Sequence, residues 1–220
     1  MADRAAAVRR LCDKGVVAVV RAASSEQLLD VAKALLAGGV ECIEITMTTP
    51  NALKVISDCR AAVPEAMVGV GSVLDAPTAQ RAIAAGAQFV VSPVFNPQVV
   101  AAAHLADLPV IPGALTPTEI LTAANAGADI VKVFPGGQFG PSYFRDVLAP
   151  MPHLKLSPTG GVDLKTAADW IAAGAVALGI GSALVTRSAL ASGNLSEITD
   201  LARQYVRIVA EARAAKNKKK

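Results

Sequence analysis

The chain has 220 residues, is 53% hydrophobic but only 4% aromatic, and carries a formal net charge of +3. An apolar mass made of Ala, Val, Leu and Ile suits strands covered by helices on one face and filled by branched side chains on the other. With the basic run at residues 216–220 set aside as a solvated end, the charge is close to neutral, and no basic stripe interleaved with aromatics invites nucleic acid.

Cys12, Cys42 and Cys59 form no Cys-x-x-Cys pair, and so sparse and odd a set argues for a reducing compartment rather than a disulfide framework. Residues 1–10 hold three arginines and an aspartate but no apolar core of the kind a signal peptide needs. No apolar run approaches the roughly 20 residues that cross a bilayer. The expectation is a soluble, cytoplasmic protein with neither a membrane nor a nucleic-acid partner.

In chain order, an amphipathic N-terminal helix is predicted over residues 1–14. Strands are predicted at 16–21, 41–47, 67–73, 88–93, 108–112, 129–134, 154–158 and 176–180. Segments with apolar spacing of three and four separate them, for example 26–36 and 117–126, and a last helix is predicted over about 195–215. Ala37-Gly38-Gly39, Ala85-Gly86-Ala87, Ala126-Gly127-Ala128 and Ala173-Gly174-Ala175 each close a helical stretch and open an apolar run. Glycine fits the left-handed position that ends a helix because it has no Cβ to clash there. The copies lie roughly 40 to 50 residues apart, and each spans two strand–helix units, so four copies make eight strands. Pro50, Pro77, Pro97, Pro117 and Pro141 stand where helices should begin. The expected fold is α/β, a (β/α)8 TIM barrel with an extra N-terminal helix, as one domain over residues 1–220.

Residues two apart in a strand share a face, so Lys132 points with Ile130 and Phe134, away from Val131 and Val133. An amine buried in an apolar run is stabilised by losing its proton, and the neutral amine is the form that attacks ketones. The alternative is a structural ion pair. Its place at the strand's C-terminal end, where barrel active sites lie, favours catalysis. Glu44 shares its face with Cys42 and Thr46, opposite Ile43 and Ile45. It could transfer protons, or simply neutralise Lys132 or Arg21. Arg21 ends the first strand and could bind an anionic substrate, set the charge state of Glu44 and Lys132, or form a rim salt bridge. Ser157-Pro158-Thr159-Gly160-Gly161-Val162 and Gly179-Ile180-Gly181-Ser182-Ala183 follow strands seven and eight, the recurrent phosphate site of these barrels, and are otherwise tight turns. His104 and His153 fit no metal-ligand spacing, and neither a dinucleotide fingerprint nor a Walker loop is present.

Together, Glu44-Ile45-Thr46, Gly69-Val70-Gly71-Ser72-Val73, Ser92-Pro93, Ile111-Pro112-Gly113, Lys132-Val133-Phe134-Pro135, Pro158-Thr159-Gly160-Gly161 and Gly179-Ile180-Gly181-Ser182 resemble the 2-keto-3-deoxy-6-phosphogluconate (KDPG) and 4-hydroxy-2-oxoglutarate (KHG) aldolase family, from about Val16 to Thr186. The resemblance implies a class I aldolase that needs no metal or other cofactor and assembles as a homotrimer. It makes Lys132 the Schiff-base lysine and Glu44 the proton-transfer glutamate. It puts Ser72, with Arg21 nearby, at the pyruvate carboxylate, Pro93 and Phe134 in the pocket walls, and Thr159 beside the glycines. Gly160, Gly161, Gly181 and Ser182 become the phosphate cradle. Two positions depart from the family pattern. Ser72 replaces a frequent Thr and keeps the hydroxyl; Thr48 stands where many members carry an Arg that helps to hold the carboxylate. The implied substrate is KDPG. Its C4 epimer and unphosphorylated KHG are alternatives, as are, from other classes, a phosphate-binding isomerase or epimerase barrel and an idle trimeric scaffold.

Overall fold

A computed structural model describes residues 3–21 and 25–217. Strands and helices alternate: α1 (Arg4–Lys14), β1 (Val16–Val20), α2 (Ser25–Ala37), β2 (Cys42–Thr46), α3 (Ala52–Ala62), β3 (Met67–Gly71), α4 (Ala76–Ala84), β4 (Val90–Val91), α5 (Pro97–Leu105), β5 (Val110–Ile111), β6 (Gly113–Ala114), α6 (Pro117–Asn125), β7 (Val131–Val133), α7 (Gly140–Leu148), β8 (Leu156–Pro158), α8 (Ala167–Ala172), β9 (Leu178–Ile180), α9 (Arg187–Ser192) and α10 (Leu195–Asn217). All pairings are parallel, in a curled sheet of the TIM kind. One ladder runs β5-β4-β3-β2-β1-β9 and the other β6-β7-β8. A bridge from Thr159 to Gly179 joins β8 to β9, and Pro112 alone separates β5 from β6.

The glycine corners behave as their spacing predicts. Gly39, Gly86, Gly127 and Gly174 have φ of 88°, 101°, 99° and 112°, a region that costs other residues a Cβ clash. Pro77, Pro97, Pro117 and Pro141 fall in the first turns of α4, α5, α6 and α7. Pro50 does not; it lies in the turn before α3, whose N-cap is Asn51.

The strands are shorter than predicted, since residues such as Arg21, Met47 and Phe134 leave the ladders where the chain turns into its loops. The fifth, predicted at 108–112, is interrupted and then prolonged to Ala114. Proline cannot donate to a ladder, but the Pro112 carbonyl accepts from Lys132 N at 2.9 Å, and Gly113 then pairs with Lys132. At the chain's end, Lys216 and Asn217 continue α10 rather than opening a tail, and residues 218–220 lie outside those described. No helix among the described residues is long and apolar enough to cross a membrane.

Two apolar layers result from the strand alternation. The outward one packs Ile43, Ile45, Val131 and Val133 against helical residues such as Val31, Leu35, Ile56 and Trp170. The inward one is a plug of Leu11, Val17, Cys42, Met67, Phe89, Val91, Ile111 and Ile130, to which α1 contributes Leu11. Each such side chain, once buried, stabilises the fold by about 1.5–3 kcal/mol. Two residues further along the strands, the inward positions change character: Val17 gives way to Val19, Cys42 to Glu44, Met67 to Gly69 and Ile130 to Lys132. The plug fills one end of the sheet's interior and leaves polar groups at the other.

Candidate active site

Lys132 and Glu44 meet in that polar half. Both are buried, 7% and 3% exposed, and Lys132 Nζ lies 4.0 Å from Glu44 Oε1. That separation makes a charge pair but not a hydrogen bond, and Glu44 Oε1 has no hydrogen-bond partner among the described residues. Burial pushes the Glu44 carboxyl above the usual carboxylate range, and the charges of Lys132 and Arg21 act against that rise. Phe134 covers the amine from the side, with Lys132 Nζ 5.2 Å from the ring centroid. The arrangement can present an amine to a carbonyl with a carboxylate in reach of the same atoms.

Glycines on β3 make the room. Gly71 pairs with Thr46 and Gly69 with Glu44. A Cβ on Gly71 would collide with Glu44 Oε1 and lie 2.6 Å from its Cδ, while one on Gly69 would lie 2.5 Å from the Phe89 ring. Ser72 follows with φ of 61°, a left-handed conformation that costs a residue with a Cβ roughly 1–2 kcal/mol. Thr48 is exposed, and its Oγ1 lies 2.8 Å from the buried Thr46 hydroxyl.

Beyond Phe134 lies a cavity of about 260 Å³ lined by Val19, Arg21, Thr159, Asp163 and the glycines of both loops, with Ser182. Gly160 and Gly161 have φ of 82° and 76°, and Thr159 N donates to Val133 O at 3.1 Å, tying this loop to the lysine's strand. Arg21 belongs to no ion pair among the described residues. On the other side of Phe134, a second cavity of about 350 Å³ is lined by Pro93, Val94, Phe95, Gly113, Ala114, Leu115 and Glu119.

Of the residues singled out in the sequence, Arg21, Phe134, Thr159, Gly160, Gly161, Gly181 and Ser182 line one cavity, and Pro93 lines the other with Phe134. Thr48 and Ser72 line neither and stand just past the ends of β2 and β3. Sequence reasoning missed Asp163. Its carboxyl is held below its usual range because Thr166 hydrogen-bonds to it, side chain and backbone, with Lys165 N adding a further bond. The Asp-x-x-Thr spacing ahead of α8 was the available signal, and it reads as an Asp turn leading into the helix, whose N-cap is Thr166. Also missed was the space Gly71 leaves for Glu44. Among the described residues, no group of three or more His, Cys, Asp or Glu is placed to hold a metal.

Residues 8–201 match the family model of the KDPG and KHG aldolases. The chain belongs to that family. It is 38% identical to the 2-dehydro-3-deoxy-phosphogluconate aldolase of Treponema pallidum, over 88% of this chain and 93% of that one. It is 35% identical to the KHG/KDPG aldolase of Escherichia coli K12, over 87% and 90%. The KDPG aldolase of Legionella pneumophila, solved with pyruvate captured as a covalent carbinolamine intermediate, superposes with a TM-score of 0.81 at 29% identity, covering 86% of this chain and 92% of that one. As a member of the KDPG and KHG aldolases the chain is a lyase, an enzyme of aldol cleavage, and the isomerase and idle-scaffold alternatives fall away.

Proposed function

We propose that this aldolase cleaves KDPG to pyruvate and glyceraldehyde 3-phosphate through a Schiff base on Lys132. The observation that carries the reading is the buried Lys132–Glu44 pair, 4.0 Å apart, in the polar half of a sheet whose other half is an apolar plug. The neutral amine attacks C2, and the carbinolamine loses water to give an iminium. Glu44 takes the C4 hydroxyl proton as the C3–C4 bond breaks, and the electron pair moves into the iminium to leave an enamine. The aldehyde departs, C3 takes a proton back, and water releases pyruvate and the free lysine. Proton transfer of this kind is worth about 10²- to 10⁴-fold.

In this reading Ser72 and Thr48 hold the C1 carboxylate, with Pro93 and Phe134 as walls. Thr159, Gly160, Gly161, Gly181 and Ser182 take the phosphate, joined by Arg21, which the resemblance puts near the carboxylate but which lines the distal cavity, so binding energy from the far end orients the scissile bond. The two ladders are taken as one closed eight-stranded barrel with α1 across its plugged end, in a single domain, supported by the Thr159–Gly179 bridge and the continuity of β5 with β6. The homotrimer and the cytoplasmic location follow from the family resemblance and the cysteine usage. One observation favours KHG as a second substrate: Asp163 lines the distal cavity with Arg21 and disfavours a doubly charged phosphate more than the single carboxylate at the far end of KHG.

Incubation with pyruvate and borohydride should leave a reduced adduct on Lys132, located by mass spectrometry, and its absence from the wild-type enzyme removes the mechanism. Rates on KDPG, its C4 epimer and KHG then rank the substrates. Ser72→Gly probes the carboxylate end. It deletes the hydroxyl and relieves the left-handed φ, so the KM for pyruvate exchange should rise about tenfold, as for one lost hydrogen bond to a charge, while urea stability does not fall. A loss of stability with KM unchanged would reverse the assignment.

A further inference from the structure

Arg21 stands between the two ends of the site. On β1, Val17 and Val19 face inward, and Val19 pairs with Glu44 across to β2. Arg21 follows just past the end of the strand, where its charge acts on Glu44. The same side chain lines the distal cavity with the glycines and Ser182. Among the described residues, the charges that act on Glu44 are Lys132 from β7 and Arg21 just past β1; β3 offers it glycine, and Thr46 beside it is neutral. Among the described residues lining the distal cavity, the other charge is Asp163, whose Oδ1 is already held by Lys165 N and Thr166.

We propose that Arg21 couples the two ends of the site: an anion seated in the distal cavity takes up the guanidinium charge, Glu44 loses one of the two cations that favour its ionised form, and the glutamate becomes the stronger base. This rests on the Schiff-base reading, in which Glu44 removes the C4 hydroxyl proton. The substrate's phosphate then does more than anchor it. Its arrival strengthens the base that opens the C3–C4 bond, so an unphosphorylated substrate loses kcat as well as affinity.

Exchange of pyruvate methyl protons with D2O tests the coupling on the intact enzyme, because pyruvate leaves the distal cavity free. Glu44 takes a C3 proton from the iminium and returns a deuteron to the enamine. At saturating pyruvate the pH profile reports groups in the covalent complex, where Lys132 is already engaged. The probe is inorganic sulfate, whose charge does not change across the range, against chloride at matched ionic strength. Sulfate should move the acid limb of the wild-type profile up by about 0.4 pH unit, the effect of one charge roughly 8 Å away through a water-like dielectric. In Arg21→Gln the limb should already stand higher, and sulfate should not move it. Normal exchange that is blind to sulfate in the wild type, or an equal shift in Arg21→Gln, overturns the coupling alone. Absence of exchange, with no borohydride adduct, overturns the Schiff-base reading beneath it.

Discussion

Lys132→Met is expected to abolish cleavage and borohydride trapping of pyruvate together, lowering kcat by roughly 10⁵-fold or more, the scale on which losing a covalent nucleophile acts. Methionine keeps the length and the apolar stem, so the inward face stays filled. What changes is the charge beside Glu44. Burial already holds that carboxyl above the usual range, and Lys132 is the larger of the two influences opposing it. Without the amine the folded protein binds the Glu44 proton still more tightly, whereas the unfolded chain releases it near pH 4. In the window between these two values the unfolded state binds fewer protons than the folded one, so stability falls as pH rises. The wild type shares the sign; in the variant the decline should continue to higher pH. Urea unfolding across a pH series reads this directly. An adduct retained in the variant removes Lys132 from the mechanism, and identical pH slopes would mean that the amine does not govern Glu44.

The repeat of Ala–Gly corners was legible because a left-handed helix end is a local requirement that few residues other than glycine meet, and four such corners at even spacing leave little but alternating strands and helices. The inward direction of Lys132 and Glu44 was legible for a similar reason, since strand alternation has a fixed period. Strand lengths were harder to read. Pairing depends on where a neighbouring backbone stops, and nothing local in residues 108–112 says that Pro112 would end one ladder while its carbonyl helps to begin the next. Gly71 and Asp163 escaped for another reason. The first matters through an atom it lacks, beside a side chain 27 positions earlier. The second has a complete local explanation in the turn it closes with Thr166, which hides its place on the wall of the distal cavity.

Gly71→Ala carries the argument from the lysine to its partner. The methyl would enter the space now occupied by Glu44 Oε1, with Cδ only 2.6 Å and Cγ 2.7 Å away. The strand is fixed by its pairing with β2, so the end of the glutamate must move. With it moves the one carboxylate within reach of Lys132 Nζ among the described residues. The expected result is a kcat lower by about 10²- to 10³-fold, within the range for misplacing a proton-transfer group, with the KM for substrate changed little. Gly69→Ala is the comparison, since a methyl there meets first the Phe89 ring in the apolar plug, where one on Gly71 meets first the carboxylate. That overpacking should cost about 1–3 kcal/mol of stability and leave kcat per folded molecule near the wild-type value. Two adjacent inward glycines of one strand would then separate cleanly, one through the reaction and the other through the fold. If both variants lose stability alike and neither loses kcat, the carboxylate does not need the place that Gly71 leaves for it, and its part in moving the proton must be reassigned.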